Sequence, residues 1–442
     1  MPPITEINNK LARLLQELPE KWKELAHEQG ALTRARKIKG AEELLRAVFS
    51  YAVSDYSLRA VAGLLTGARH SITDEAVRLR LHKCEAWLEG LLGATLLGHA
   101  PPAAVAGRKL KIVDGTVLCC PAAVGTDYRV HLCFEAIEQR CGGVKVTNGK
   151  GAESFTHFAF AAGEIVLGDR IYGKTKQIVA VQEQGAEVVV RISLQQLRLY
   201  DEAGALIGWK EALIKARDAG QLSLEAFVKD EKGKLTKVYV QGQRLSSKEV
   251  EKARRRIKKS ASKKGHKTRA ATLLLCEWIT VLTTIAPTEL SREVILELYR
   301  IRWQIELYIK RLKSILQLGA IRAKEGSALA KVHILAKMLY AVLLEKIAEK
   351  RLGVGWTVMT RERRGTWFRV WKLIKDEFIE AIIGTIHWQA WEWRLRLKVL
   401  SERKRKRKLQ QLPKKVIRWL QETAQAKPII TANQPSVLRL AA

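Results

Sequence analysis

Cysteine is scarce in this sequence of 442 residues: there are six, and no two of them stand in a C-x-x-C pair. That argues against a zinc site, while so few cysteines argue against a disulfide scaffold and fit a reducing compartment. Long apolar runs are also missing. The N-terminus has no continuous apolar signal core, and the most apolar internal stretch, residues 271–286, is too short and too polar to span a bilayer. We therefore expect a soluble cytoplasmic protein.

Acidic residues are in short supply relative to basic ones. The chain has 78 Lys and Arg against 45 Asp and Glu, a formal charge of +33. A chain this basic repels itself unless a polyanion neutralises its charge. We therefore expect nucleic acid as the partner, ahead of an anionic membrane surface. There is no Gly-rich P-loop, and Ser260 and Ser262 lack a visible His or Asp partner for nucleophilic catalysis.

Nearly half of the residues, 47%, are hydrophobic, which excludes a mainly disordered chain. Apolar positions recur at helical spacing through residues 1–97, and Thr73 is a candidate N-cap for a helix over 74–91. A shorter helix over 57–65 and a turn precede it. This order is typical of a DNA-reading helix-turn-helix, and equally of an ordinary helical hairpin.

The middle of the chain changes to a mixed α/β pattern. A linker over 98–107 precedes short β-rich runs and one helix over 174–183. The predicted strands cover 109–113, 128–137, 155–161, 164–168 and 187–192.

A β-rich and then strongly basic region follows. We expect hairpins over 198–209 and 223–241, and an extended segment over 273–285. Between them, residues 246–269 carry eleven Lys or Arg and two Glu, which predicts a basic arm or helix. Its charge either contacts the DNA backbone or simply aids solubility.

The last third is predicted to be helical. Long helices are expected over about 288–316, 329–350 and 367–400, before a tail with six consecutive cations at 403–408. The tail is read either as a DNA contact or as solubilising charge.

One helix carries an unusual set of polar side chains. At 100° per residue, Tyr299, Arg302, Glu306 and Lys313 fall within roughly 60° of one another on a helix. Taken alone, the set is explained as surface ion pairs, for example Arg302 with Glu306 at i,i+4.

Two aspartates give this helix a chemical context. Asp114 and Asp169 each follow a predicted strand, and side chains at strand ends of an α/β core meet at one edge of the sheet. With Glu306 packed across them they form a three-carboxylate cluster, which repels itself unless cations neutralise it. Mg²⁺ is the usual choice, and two ions roughly 3.5–4 Å apart can clamp a phosphodiester.

The four helix residues match the pattern Y-x2-R-x3-E-x6-K. This pattern resembles the signature of the insertion-sequence-four family of DDE transposases, the group that contains the transposon five and transposon ten enzymes. Asp114, followed by Gly115 and Thr116, resembles that family's first Asp. Asp169, in a Gly-Asp-Arg-x-Tyr context, resembles its second, and the 306 − 169 = 137 residues before Glu306 leave room for the family's β-rich insertion.

The resemblance implies a fold and a domain order. The fold is an α/β, RNase H-like catalytic core interrupted by a β-rich insertion, with an α-helical N-terminal DNA-binding domain and an α-helical C-terminal region. The implied domains are an end-binding domain over 1–97, a split core over 108–192 and 286–350, an insertion with the basic arm over 193–285, and a C-terminal region over 351–442.

The resemblance also implies an activity. Asp114, Asp169 and Glu306 would be the catalytic metal ligands, with two Mg²⁺ or Mn²⁺ ions per active site. The reaction would cleave DNA at transposon ends, form and reopen a hairpin, and join the ends to target DNA. The partners would be terminal inverted repeat DNA, target DNA and a second copy of the chain in a homodimer, all near the nucleoid.

Further residues are assigned to DNA contact. Tyr299, Arg302 and Lys313 would hold phosphates, as would the basic-arm residues Arg254, Arg255, Lys258 and Lys259. Trp278 resembles the family's stacking platform for an extruded base, or else it is a buried core residue; Trp303 is expected in the core. The rival functions are an RNase H-like nuclease or resolvase that does not join strands, and a catalytically silent DNA-binding protein.

Overall fold

The computed structural model describes residues 4–67, 70–99, 109–352, 367–383 and 399. Within these ranges no helix is both long enough and apolar enough to cross a membrane. The predicted helix beyond residue 383, the cationic run at 403–408 and most of the predicted linker lie outside the described residues.

The N-terminal region is helical, as expected. Thr73 accepts a hydrogen bond from the Ala76 backbone N–H at 3.2 Å, which confirms the predicted cap. The helix predicted over 74–91 is two helices, because the chain turns at Lys83 and Cys84. The six helices are α1 (Ile4–Leu15), α2 (Trp22–Glu28), α3 (Ala41–Ala52), α4 (Leu58–Leu65), α5 (Asp74–His82) and α6 (Glu85–Leu97).

Within the described residues, eight strands form one mixed sheet with the order β3-β2-β1-β4-β5-β8-β7-β6. The pairs β1–β4 and β4–β5 are parallel and all others are antiparallel. The strands predicted for the insertion therefore extend the sheet through β8. The strands are β1 (Lys109–Leu118), β2 (Tyr128–Glu135), β3 (Arg140–Asn148), β4 (Glu164–Gly168), β5 (Glu187–Arg191), β6 (Gln221–Lys229), β7 (Leu235–Arg244) and β8 (Trp278–Thr283).

The remaining helices connect and cover the sheet. The helix predicted over 288–316 is two helices in the structure, with a turn at Ile301 and Arg302. They are α7 (Thr175–Gln182), α8 (Trp209–Lys215), α9 (Ser247–Lys263), α10 (Ala270–Leu275), α11 (Arg292–Arg300), α12 (Trp303–Ser314), α13 (Ala328–Leu352) and α14 (Trp367–Ile383).

Three predicted extended segments differ from the structure. The strand over 155–161 is wrong: the Ser154 side chain caps a single 3₁₀ turn at Phe155–His157. The hairpin over 198–209 is reduced to an isolated pair between Tyr200 and Leu206, followed by α8. The segment over 273–285 begins inside α10 and becomes extended only in β8.

Two cores lie on the two faces of the sheet. Ile112 on β1 packs with Tyr308 of α12, with α13 and with the N-terminal helices. Val113, the next residue, points to the opposite face and belongs to a second core, which also includes Ile178 of α7 and buried side chains of β6, β7 and β8. The N-terminal helices therefore share a core with the sheet, and the domain boundaries remain predictions.

Candidate active site

Asp114 and Asp169 lie side by side where two parallel strands separate. The register pairs Ile112 of β1 with Leu167 of β4, and the two aspartates stand two residues further along each chain. The sequence analysis placed Asp114 at the end of its strand, but in the structure Asp114 lies inside β1. The strand continues to Leu118 because β2 still pairs with it, whereas β4 stops at Gly168.

The loop after β4 fixes Asp169. The Ile171 backbone N–H donates to Asp169 Oδ1 at 2.8 Å. Tyr172 turns back into the core and stacks on Phe155, with ring centroids 4.6 Å apart. A Cβ atom at Gly168 would lie 2.7 Å from Phe155 Cζ, so only glycine allows β4 to pass this stacked pair.

Glu306 approaches the aspartates from the helix that covers this face of the sheet. Asp114 and Ile112 share one face of β1, and Ile112 belongs to the core that includes Tyr308 and Leu312 of α12. Glu306 is in the first turn of α12. Both carboxylates therefore face the same space between β1 and α12.

The turn between α11 and α12 places the other signature residues. Ile301 and Arg302 keep helical dihedral angles, but the Arg302 N–H bonds to the Tyr299 carbonyl at 3.1 Å, an i,i+3 contact. Tyr299 therefore lies in the last turn of α11 and Glu306 in the first turn of α12. Lys313 lies seven residues after Glu306, on the same face of α12, and is exposed.

Arg302 connects the two acidic sides. Its Nη1 lies 3.7 Å from Asp114 Oδ2, and its Nη2 donates to Glu306 Oε1. The Tyr299 ring lies 5.8 Å from Arg302 Cζ, within cation–π range. The guanidinium is 17% exposed, so it neutralises both carboxylates in a partly desolvated space. The ion pair expected from Arg302 to Glu306 is present and extends to Asp114.

The Asp114 carboxyl carries the marks of a crowded acidic site. Its pKa is raised to about 6, chiefly by burial and also by the nearby charges of Asp169 and Glu153, while the Gly115 N–H and Arg302 act against the rise. Glu153 is a fourth carboxylate here, and burial likewise raises its pKa. Glu153 lies 3.6 Å from Arg129, and a Cβ atom at Gly115 would come within 2.9 Å of it.

These donors suit a hard divalent cation by their chemistry. They are carboxylate oxygens, and Asp114 sits where burial and a like charge disfavour its ionised form unless a cation is near. Among the described residues, however, no three His, Cys, Asp or Glu side chains are arranged to hold one ion. The Glu306 carboxylate is engaged by Arg302 instead.

A groove of about 570 Å³ opens beside these residues, and we call it the signature groove. Tyr299, Arg302 and Trp303 line one side, with Arg191 and Arg292 among the other lining residues. Trp303 was expected in the core, but it is 58% exposed. It stands at the first position of α12, where the turn directs it outward.

Trp278 has the opposite environment. It is 3% exposed, begins β8 opposite Arg244, and packs in the core on the face away from α12. This burial favours the core alternative over the stacking platform.

The basic arm is a helix, α9, that begins with a capping box between Ser246 and Glu249 and buries none of its residues. Arg254 is turned inward to Glu277, a carboxylate only 1% exposed that also binds Arg244 at 3.1 Å. Arg254 thus anchors the helix, while Arg255, Lys258 and Lys259 face solvent.

Sequence reasoning missed three residues near the candidate site. Arg191 follows Val190, which pairs with Gly168, so it stands beside Asp169. Glu153 lies in an irregular loop, which no sequence pattern marks. Trp303 was placed in the core because residues 288–316 were predicted to form one continuous helix. Only the register of β4 and β5 could have indicated Arg191.

Comparison with known proteins points to one family. Residues 112–342 match the family model described as a transposase DDE domain. The putative transposase InsL for insertion sequence element IS186A of Escherichia coli K12 is 31% identical over 343 residues, covering 76% of this chain and 92% of that protein. The transposase for insertion sequence element IS421 of Escherichia coli is 31% identical over 344 residues, with the same coverage.

The comparison with solved structures also gave a match. The cryo-EM structure of a piggyBac transposase synaptic complex with hairpin DNA has a TM-score of 0.39 and 7% identity, covering 91% of this chain and 86% of that one. The family assignment rests on the sequence matches alone. The family model spans more than half of the chain, and the alignments with the two Escherichia coli transposases cover three quarters of it. The chain therefore belongs to the DDE-domain transposases.

Proposed function

We propose that this protein is a transposase that cuts DNA at the ends of its own element and joins those ends to target DNA. Asp114, Asp169 and Glu306 would be its catalytic acids. The observation that carries the proposal is the convergence of two carboxylates distant in sequence, Asp114 and Glu306, on one guanidinium, with Asp169 beside Asp114 in the strand register. Family membership supplies the reaction class and implies dependence on a divalent metal, commonly Mg²⁺.

Asp114, Asp169 and Glu306 would hold two Mg²⁺ or Mn²⁺ ions. When bound, such ions act as Lewis acids that favour the attacking hydroxyl and stabilise charge on the phosphate. The chain's own part is to keep three carboxylates ionised and close together. Arg302 serves this in the absence of metal, since it neutralises Asp114 and Glu306 simultaneously.

The signature groove would hold the DNA strand next to these acids. Arg302 and Lys313 supply positive charge for phosphates, and Tyr299 supplies a hydroxyl beside them. We assign the stacking surface for an extruded base to Trp303, because its ring is 58% exposed in this groove while that of Trp278 is buried.

The proposed reaction has four steps, in which water and the 3′-hydroxyl of the element end alternate as the attacking group. Water attacks the phosphodiester at the element end, so a new P–O bond forms, the ester bond to the 3′ oxygen breaks and that oxygen leaves as a 3′-hydroxyl. That hydroxyl attacks a phosphodiester of the opposite strand, so a new ester bond closes a hairpin while the bond to the flanking strand's 3′ oxygen breaks and the flank is released. Water then breaks the new ester bond, which opens the hairpin and regenerates the 3′-hydroxyl. It finally attacks a target phosphodiester, exchanging one ester bond for another. A homodimer would hold the two ends, with the helices of residues 1–97 on the terminal repeats and α9 on the backbone.

The first test replaces Glu306 and measures DNA cleavage. Glu306→Gln should reduce cleavage of the terminal DNA of its own element by at least about 100-fold, since metal catalysis contributes several kcal/mol. End binding should change little. Glu225→Gln, on β6 and in an exposed pair with Lys237 outside the signature groove, is the matched control. Undiminished cleavage by Glu306→Gln would remove this residue from the site.

The same assay separates the rival functions. Wild-type protein is given pre-cleaved ends with a free 3′-hydroxyl, Mg²⁺ and a supercoiled plasmid. Joined products support a transposase, cutting without joining indicates a nuclease or resolvase, and binding without either reaction indicates a silent DNA-binding protein.

A further inference from the structure

A second positively charged concavity lies next to Asp169 and is used by none of the roles above. It encloses about 670 Å³ and we call it the basic cavity. Its cations are Arg170 and Lys174, from the loop between β4 and α7, and Arg198 and Lys229, from the segment after β5 and the end of β6. Two parts of the chain, the predicted core and the predicted insertion, thus supply two cations each.

The charge of the basic cavity is uncompensated. All four cations are exposed, and none of the residues lining the cavity is acidic. No ion pair involves these four within the described part of the chain, and Lys229 has only the Tyr200 ring, 5.8 Å from its Nζ. Four like charges around one concavity repel each other, so the cavity favours an anionic ligand.

Its position relates it to the catalytic acids. Arg170 and Ile171, both lining residues, directly follow Asp169. Gly173 closes the cavity against β5, where an added Cβ atom would lie 2.7 Å from the Arg191 carbonyl oxygen. The side chain of Arg191 lines the signature groove. The two concavities share no lining residue and are therefore separate sites. The backbone of Arg191 connects them, because Gly173 of the basic cavity lies against it and its side chain lines the signature groove.

The reaction supplies the reason for two basic sites. Both strand cleavage and strand joining require duplex DNA on each side of the reacting phosphate, and Lys and Arg contacts to phosphates provide most sequence-independent affinity. The signature groove accounts for one side. The other side is flanking donor DNA before cleavage and target DNA afterwards.

We infer that the basic cavity binds the phosphate backbone of the duplex beyond the reacting phosphate, and that it does not bind the element end itself. This rests on the proposed function. Flanking donor and target DNA share the same backbone chemistry, so the experiment must distinguish these two sources.

The test uses the full chain with Arg198→Glu and Lys229→Glu combined. Both residues lie in the predicted insertion, away from the three acids. The control is Lys210→Glu with Lys215→Glu on α8, which carries the same charge change outside the cavity. Binding is measured on an end duplex that stops at the cleavage point and on the same duplex with about 30 added flanking base pairs, roughly three helical turns. Joining is measured from the pre-cleaved end to a plasmid.

The cavity variant should bind the unflanked end within about twofold of wild type. It should lack the affinity that flanking DNA adds, or join the pre-cleaved end at least about tenfold more slowly, or both. A defect in the first assay identifies flanking DNA as the ligand and a defect in the second identifies target DNA. The salt slope of the affected binding should be shallower by roughly 0.9 for each phosphate that the variant no longer neutralises.

Other results overturn the inference. Wild-type behaviour in both assays would mean that the cavity holds no DNA, and equal weakening of the unflanked end would assign the cavity to the end itself. If the charge reversal prevents folding, judged by circular dichroism, Arg198→Gln with Lys229→Gln is measured against the same expectations. Failure of the proposed function is separate, because wild-type protein would then neither cut nor join.

Discussion

Arg302 is the residue on which the acidic cluster depends when no metal is bound. Its guanidinium contacts Asp114 and Glu306 and is itself largely buried. Removing it leaves two carboxylates facing each other with no counter-charge, so the cluster should then depend on a divalent ion.

Arg302→Gln should therefore destabilise the metal-free protein by about 1 kcal/mol, the scale of a partly exposed ion pair. Thermal denaturation in EDTA and in Mn²⁺ measures this, and added Mn²⁺ should raise the midpoint more in the variant than in wild type. Arg300→Gln, which removes an exposed pair with Glu297, is the control. An equal metal-induced shift in wild type and Arg302→Gln would rule out this role.

Glu345 is a buried acid away from the catalytic cluster. Burial raises its pKa to about 8, while the backbone N–H of Cys141 and the charge of Arg311 act against the rise. The folded protein therefore holds a proton that the unfolded chain, with its ordinary value of 4.5, has already released. The free energy of unfolding should fall as the pH rises from about 4.5 to about 8.

Replacing Glu345 by Gln keeps an acceptor for Cys141 and removes this titration. Chemical denaturation between pH 5 and 8 should show a flatter pH dependence in the variant, by up to about 1.4 kcal/mol per pH unit. Glu380→Gln, at an exposed position of α14, should leave the dependence as in wild type. A slope that Glu345→Gln does not change would show that Glu345 is ionised in the folded protein.

At the scale of elements, the turn between α11 and α12 decides what the signature residues can do. It turns Trp303 into solvent and brings Arg302 between β1 and α12. No Gly or Pro marks this turn, and the dihedral angles stay helical, so periodicity alone predicts one straight helix. The candidate site residues could be proposed from their pattern, but the outward position of Trp303 could not be predicted.

The two tryptophans give contrasting expectations. Trp303→Ala should leave the thermal midpoint nearly unchanged and slow hairpin formation roughly tenfold, because it removes an exposed stacking surface. Trp278→Ala should cost about 3–5 kcal/mol of stability, as expected for a buried tryptophan. Time courses of nicking and hairpin formation on one labelled end, together with thermal melts, measure both. If Trp303→Ala slows nicking and hairpin formation equally, Trp303 is not the stacking surface.

At the scale of the whole molecule, local patterns predicted strands and caps better than they predicted connections. The apolar run at 165–167, between Glu164 and Gly168, predicts β4 with its observed bounds, because a short apolar run of this kind is typical of a strand buried on both faces. Phe155 and Phe160 suggested a strand, yet both are buried in the core around a 3₁₀ turn. Apolar character indicates burial without fixing the backbone.

The order of the strands in the sheet could not be predicted from local sequence patterns. Strand β8 pairs with β5 and β7, so residues 221–283 continue the sheet that carries Asp114. Such pairing depends on long-range register, which a single sequence does not encode locally. The same limit applies to the basic cavity, whose four cations become neighbours only through the fold. The charge of +33 predicted a polyanionic partner but not the surfaces that meet it.

The central claim is that Asp114, Asp169 and Glu306 bind divalent metal together. The most direct measurement is a calorimetric Mn²⁺ titration of wild type, Asp114→Asn, Asp169→Asn, Glu306→Gln and the control Glu225→Gln, each bound to a pre-cleaved element end. We predict that each of the first three substitutions weakens the tightest Mn²⁺ binding at least about tenfold, a loss of about 1.4 kcal/mol. The control should match wild type. Wild-type Mn²⁺ affinity in any one of the three variants would contradict the claim.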